Sequence, residues 1–407
     1  MAKDKMNIPQ IRFKGFEGEW EKKKLGFFGK IRMCKRIFKE ETTEIGDIPF
    51  YKIGTFGKEP DSFISEEIYE EYVEKYPYPE KGDILISASG TIGRTVVYNG
   101  EKAYYQDSNI VWLEHNRKKL LNEYLLQVLN NTSWNELEGS TIKRLYNNDL
   151  LNKEYFFPNI KEQTQIGNFF QKLDQVIELQ QKALDTARAY KQSMLQKMFP
   201  LKGEKVPRVR FAGFSGDWKE EKLGNVATIY RGLTYKPTDV VKPGDGIRVL
   251  RSSNIDEDIL VLNKDDVFVK KSAVKLENIK VGDILITAAN GSSRLVGKHA
   301  VLTTELQNTV HGGFMLIART KVPFFINSWM NTFEYKVMLQ LVQGGNGAIG
   351  NLSKLTLEKC KMHIPKLEEQ IQIGNFFQKL DQQIEQQAQK LATYQQLKKA
   401  MLQRMFV

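Results

Sequence analysis

The sequence predicts an α+β protein: two homologous mixed α/β domains and two long helices forming an antiparallel coiled coil, with pseudo-two-fold organisation. Three observations carry this. Ten residues, Ile166 to Gln175, recur unchanged at Ile373 to Gln382. An aromatic opening motif, Pro9-Gln-Ile-Arg-Phe-Lys-Gly-Phe-Glu-Gly-Glu-Trp20, returns as Pro207-Arg-Val-Arg-Phe-Ala-Gly-Phe-Ser-Gly-Asp-Trp218, at an offset of 198. The run Gly82-Asp-Ile-Leu-Ile86 reappears at Gly282 to Ile286, offset 200, and the helical repeat at offset 207. The halves thus differ by nine inserted residues between constant ends. A period near 200 residues is a domain duplication, not a solenoid repeat.

Taken in order, each half opens on its aromatic motif. Phe13, Phe16 and Trp20, with Phe211, Phe214 and Trp218, read as core packing at the start of each domain, because both copies keep one aromatic set. Strand-like runs rich in Val, Ile and Tyr follow, ended by Gly, Asn or Asp: Ile48 to Ile53, Asp83 to Ile86 and Thr95 to Tyr98, then Ile247 to Leu250, Ile284 to Ala288 and Phe314 to Ala318. Short helices are expected at Asn122 to Asn130 and Phe325 to Leu341. The expected layout is a first domain at 1–161, a long helix at 162–200, a linker at 201–207, a second domain at 208–368 and a second long helix at 369–407. Pro200, Gly203 and Pro207 end the first helix.

Within the long helices, steps of four and three select Ile166, Phe170, Leu173, Ile177, Gln180, Leu184, Ala187, Lys191, Met194 and Met198. The same walk through the repeat selects Ile373, Phe377, Leu380, Ile384, Gln387, Leu391, Tyr394, Lys398, Met401 and Met405. A mean period of 3.5 is the seam of a coiled coil, and its recurring polar positions fix register and partner at a cost in stability. About 36 residues at 1.5 Å each make a rod of about 50 Å.

The composition, 41% hydrophobic and 27% charged over 407 residues, is globular and large enough for two or three domains. Sixty basic residues against 49 acidic ones give a net charge of +11, which favours a polyanionic partner, nucleic acid before membrane. No signal-peptide core or membrane-length apolar run is present, and Cys34 and Cys360 form no pattern. A reduced, cytoplasmic setting is expected. His115, His299, His311 and His363 show no ligand spacing with each other or with the cysteines, so no metal site is expected. Gly291 to His299 superficially suggests a phosphate loop, but it has five residues between its glycines and His where Ser or Thr is required. With no catalytic constellation and no cofactor motif, the expectation is a protein that is not an enzyme and carries no cofactor.

Two variable domains, each opened by the Arg-Phe-x-Gly-Phe-x-Gly-x-Trp motif and closed by a long helix, resemble the specificity subunit of Type I restriction–modification enzymes. The paired segments Pro158-Asn-Ile-Lys-Glu-Gln163 and Pro365 to Gln370, leading into the helices, support the likeness, as does the Gly-Asp-Ile-Leu-Ile strand before Ser89-Gly-Thr-Ile-Gly-Arg94. The resemblance implies two target-recognition domains, each reading half of a bipartite, asymmetric site in double-stranded DNA. It also implies helices that set the spacing and dock two modification (methyltransferase) subunits, with ATP-dependent restriction subunits completing the assembly. The alternative is a pseudodimeric DNA- or RNA-binding tether without base specificity.

Candidate DNA contacts lie on turns after strands, where side chains reach phosphates and base edges. Arg94 sits on the Gly-rich turn, with Asn290, Arg294 and Lys298 on the corresponding turn of the second half. Lys52 and, in the second half, Arg251, Ser252 and Asn254 follow matching strands. Arg231, Tyr235 and Lys236 flank Gly232, and Lys143 and Arg144 follow Gly139-Ser140-Thr141. Departures between the halves, Asn290 to Arg294 against the Gly-x-x-Gly-Arg turn and Gly232 against Cys34, mark where residues do not transfer from one half to the other.

Overall fold

The computed structural model describes residues 7–134, 144–342 and 351–407. The chain divides into two compact units, and the division cuts through both long helices. The first unit joins Met1–Gln181 to Lys390–Val407; the second is Lys182–Gln389.

Each unit holds the same central sheet. In the first it runs Gly29–Arg32, Ile110–His115, Ile84–Ser87, Thr95–Val97; in the second, Thr228–Arg231, Met315–Arg319, Ile284–Thr287, His299–Val301. All neighbours in both sheets are antiparallel. The strands Ile84–Ser87 and Ile284–Thr287 are buried along their whole length, because side chains on both faces pack into core. A second small sheet in each unit contains one parallel pair, Ile48–Tyr51 with Tyr104–Tyr105 and Ile247–Leu250 with Thr309–His311. The short helix Asn122–Asn130 has the expected bounds, but the segment after Val322 forms two helices, Pro323–Met330 and Phe333–Val342. The break falls at Asn331-Thr332, where the Thr332 hydroxyl donates back to the carbonyl of Trp329 at 2.6 Å, a local bond that competes with continued helix.

The long helices run Ile160–Met198 and Leu367–Met405. At the first turn of each, a fully buried glutamate takes both ends of an arginine from the opening motif. Arg12 donates to Glu162 at 2.7 and 2.8 Å, and Arg210 to Glu369 at 2.7 and 2.8 Å. The same guanidinia donate to the carbonyls of Gly18 and Gly216. Such bidentate pairs are among the stronger hydrogen bonds, and they fasten the first residues of each half to the base of its helix. Further along, Gly167 and Gly374 allow close approach to the short helices: a Cβ would stand 2.7 Å from the Glu123 Cβ and 2.8 Å from the Phe325 nitrogen, respectively.

Every seam position named from the sequence is buried or half-buried, and within each unit the two helices run antiparallel. In the first unit Phe406 packs on Trp20, Tyr124 and Phe170; in the second Phe199 packs on Trp218, Phe325 and Phe377. The end of each long helix thus closes the aromatic core of the half to which it does not belong in sequence. The polar seam lysines have equivalent partners, Lys398 on Asp174 and Lys191 on Asp381, both at 2.6 Å. No helix among the described residues is long and apolar enough to cross a membrane.

Lys191 has a further partner, Asp258 at 2.9 Å, on the turn between Ile255–Asp256 and Ile259–Leu260. Burial disfavours the lysine charge, but Asp258 and Asp381 outweigh it and hold the ammonium above the usual lysine range. Burial also weighs on both carboxylates. Asp258 nevertheless falls below its ordinary value beside Lys191 and His299, whereas Asp381 is raised. Lys191, being raised, contributes fully below pH 10.5 and is lost as pH climbs past its folded value. Asp258, being depressed, contributes above pH 3.8 and fades below it, and Asp381 takes up its proton first on acidification. Lys191→Met is therefore expected to cost about 2–3 kcal/mol at neutral pH, the low side for a broken buried pair because both carboxylates are partly exposed. Chemical denaturation reads this as a lower midpoint, and the gap to wild type closes on acidification.

Candidate nucleic-acid interface

The sheets of the second unit present their strand-end loops around a cleft of about 640 Å³ lined by Leu233, Thr234, Tyr235, Arg251, Ser252, Ala289, Asn290, Gly291 and Gly312 to Met315. Four of the residues singled out from the sequence meet here: Tyr235, Arg251, Ser252 and Asn290. The Asn290 amide donates to the Ser252 hydroxyl at 2.8 Å and its carbonyl accepts from the Ser292 nitrogen at 2.9 Å, which fixes the amide's orientation. Arg251 reaches the carbonyl of Asp265 at 3.4 Å, and its buried Nε has no hydrogen-bond partner among the described residues. Asn254 is placed differently. It is fully buried, bonded to the Arg251 nitrogen, the Val261 carbonyl and Asp266, so it shapes the loop that carries Arg251.

The turn cations are correlated by hydrogen bonding, and the match differs from the one sequence order suggests. Arg94 returns its carbonyl to the Ser87 nitrogen, and Lys298 does the same for Thr287. Arg94 donates to the carbonyl of Phe56 at 2.9 Å and Lys298 to that of Ile255 at 2.6 Å. Lys298 is thus the structural counterpart of Arg94, and both brace a neighbouring loop. Arg294 lies exposed on the one-turn helix Ser293–Leu295.

The remaining candidates are scattered over the loops. Lys52 is half-exposed and paired with Asp61 at 2.8 Å. Arg144 donates to the carbonyl of Ser108 at 3.0 Å. Arg231 and Lys236 are exposed, the latter's backbone nitrogen bonded to Asp239 at 2.9 Å. Lys143, with Gly139, Ser140 and Thr141, lies outside the described residues. In the first unit the corresponding loops are tied together by polar contacts, Arg36 to Asp107 at 3.3 Å and Ser89 to Asn109 at 2.9 Å. Sequence reading passed over Asn109 and Phe314. The run Phe314 to Ala318 reads as a strand, yet the strand begins at Met315 and Phe314 is 74% exposed. The available signal was Gly312-Gly313 just before it, a turn rather than a strand lead-in. The described residues contain no His, Cys, Asp and Glu cluster able to hold a metal.

Two equivalent heads with unlike loops, each clamped to a long helix, define a duplicated scaffold for presenting two different surfaces to a basic protein's anionic partner. The chain belongs to the family of the Type I restriction modification DNA specificity domain, which it matches twice, over residues 17–187 and 215–394. It is 54% identical over 150 residues to a type I restriction enzyme specificity subunit of Haemophilus influenzae; the match spans 37% of this chain and 39% of that protein. The MjaX specificity subunit of Methanocaldococcus jannaschii is 22% identical over 347 residues, 79% of this chain and 76% of that one. The crystal structure of a Type I restriction–modification S subunit from M. genitalium shares the fold, with a TM-score of 0.68 at 16% identity, covering 98% of this chain and 99% of that chain.

The bracing role of the turn cations has a measurable consequence. Lys298→Met is expected to destabilise the second head by about 1.5–3 kcal/mol, the worth of a hydrogen bond from a charged group. Arg294→Met, at an exposed site, is expected to stay within about 0.5 kcal/mol of wild type. Denaturation midpoints of the two variants measure the contrast.

Proposed function

We propose that this chain is the non-catalytic, sequence-reading subunit of a Type I restriction–modification system acting on double-stranded DNA in the cytoplasm. Each head reads one half of a bipartite, asymmetric site. The paired helices set the distance between the halves and dock two modification subunits, which methylate adenine, while ATP-dependent restriction subunits complete the assembly. The observation that carries this reading is the pairing of near-identical helices and opening clamps with divergent loops: the frame is kept and the reading surface varies. The +11 charge supplies salt-sensitive attraction to the phosphate backbone. Arg251 and Asn290, residue types that pair with base edges, line the cleft with Tyr235 and Ser252 beside them. Asn254 and Lys298 act through the loops they hold. Arg94 acts in the same way in the first head, where Lys52 and Arg144 are the remaining candidates, and Arg231, Lys236 and Arg294 are exposed on the second.

Co-expression with a modification subunit, followed by methylome sequencing, is expected to reveal one bipartite site with an unread gap. Inserting four residues in phase into both long helices lengthens the rod by about 6 Å, and the gap is expected to widen by one or two base pairs. An unchanged gap would remove the ruler from the proposal.

A chain cut after Pro200 loses Phe406 from the first unit's core but retains Phe199, its repeat counterpart. Two such fragments can exchange helix ends and restore both aromatic clusters, forming an isologous dimer. Sedimentation at micromolar concentration is expected to show a dimer, and the methylated site is expected to become palindromic. A monomer at that concentration would mean that the helix ends are not interchangeable.

A further inference from the structure

We infer that Phe314 is the base-stacking element of the second head: it enters the duplex at one half-site, unstacks a base step and holds a nucleobase against the cleft walled by Tyr235, Arg251 and Asn290. This rests on the proposed function and adds to it a ligand subsite on the second head. The ring is 74% exposed, yet its backbone is fixed. The Phe314 carbonyl accepts from the nitrogens of Ala288 and Ala289 at 2.8 and 3.2 Å, and the Met315 nitrogen closes the turn on the Gly312 carbonyl at 2.8 Å.

The glycines before it are closely packed. A Cβ on Gly312 would lie 3.2 Å from Val249 Cγ1, and one on Gly313 would lie 3.1 Å from Thr234 Oγ1. A tight, anchored turn therefore projects a phenyl ring into water at the mouth of a cleft whose floor includes Leu233, Ala289 and Met315. Apolar wedges on rigid mounts open base steps in other DNA-bending contacts, where bent DNA repays the cost of unstacking. The cleft's volume, about 640 Å³, falls within the range of small-molecule sites, so one base fits with room for its sugar. Arg251 and Asn290 stand where a base edge would be read.

The first head has a different group at this place. The Ala88 nitrogen donates to the carbonyl of Asn109 as the Ala288 nitrogen donates to that of Phe314. Asn109 is therefore the counterpart of Phe314, and its side chain is engaged by Ser89 at 2.9 Å. At this mount the stacking ring therefore belongs to the second head.

The test uses the full chain assembled with its modification subunit and the site mapped by methylome sequencing. 2-Aminopurine is placed, one position at a time, across both half-sites, excluding the methylated adenine. Wild type is expected to give a several-fold fluorescence rise at one position of a single half-site. Phe314→Ala should abolish that rise and weaken binding by roughly 5- to 100-fold, the range for losing one base–aromatic stack, while Phe314→Trp should retain both. Thermal unfolding of the alanine variant should match wild type, because the ring is exposed. If Phe314→Ala leaves affinity and fluorescence unchanged at a mapped site, the inference is overturned alone. If the wild-type complex methylates no bipartite site, the proposed function falls and takes the inference with it.

Discussion

Everything else in this structure depends on an exchange of helix ends. Phe199 closes the core around Trp218, Phe325 and Phe377, and Phe406 closes the one around Trp20, Tyr124 and Phe170. Burying such a ring contributes on the order of 1.5–3 kcal/mol, apart from the aromatic contacts themselves. Neither core is complete without residues from the far half of the sequence. The seam lysines supply the directional part: Lys191 on Asp381 and Lys398 on Asp174 repeat one contact in each unit, which suits an antiparallel register and penalises a slipped one.

The arginine–glutamate clamps fasten each head to the base of its own helix. Arg12 and Arg210 sit near the start of each half, Glu162 and Glu369 some 150 residues later, and each pair spans its whole head. Both ends of a head are thus held at one spot on a helix, with the antiparallel ribbon of Glu21–Lys24 and Glu154–Phe157, or of Lys219–Lys222 and Lys361–Ile364, beside it. What lies between the clamped ends can vary without moving the frame. The nine-residue difference between the halves falls in this interval. There the first head carries the helix Glu66–Lys75, while the second carries the small hairpin that brings Asp258 to Lys191.

Much of the frame was legible in the sequence because it is written in short-range periodicity. A 3.5-residue repeat and a duplicated motif need no knowledge of distant partners, and the seam positions follow directly from them. The partners of the polar groups were not legible. Nothing local to Arg12 names Glu162, although both stand in motifs that recur in each half. Nothing local to Lys191 names Asp258, which arrives on a loop present in one head. The same limit explains the turn cations. Counting along the chain sets Arg294 beside Arg94, but an extra turn in the second half carries Arg294 to the surface and leaves Lys298 bonded as Arg94 is. Phe314 differs for a related reason: an aromatic residue before Met-Leu-Ile-Ala has strand composition, which outweighs the turn signal of Gly312-Gly313 before it.

The two heads therefore solve one mounting problem with opposite surface chemistry. At the position anchored by Ala88 or Ala288, the first head presents an amide that is already hydrogen-bonded, and the second an apolar ring facing water. The Asn109 Oδ1 already accepts from Ser89, so that oxygen must trade one bond for another to engage a partner, and its gain on contact is small. An exposed ring gives up only unfavourable hydration, and its gain on burial is nearly the full transfer term. The scaffold treats its halves as equals, yet at this mount it carries a polar group in one head and an apolar ring in the other. A frame that is indifferent to its loops permits that difference: the clamps and helix ends repeat from one half to the other while the group at this mount changes from amide to phenyl.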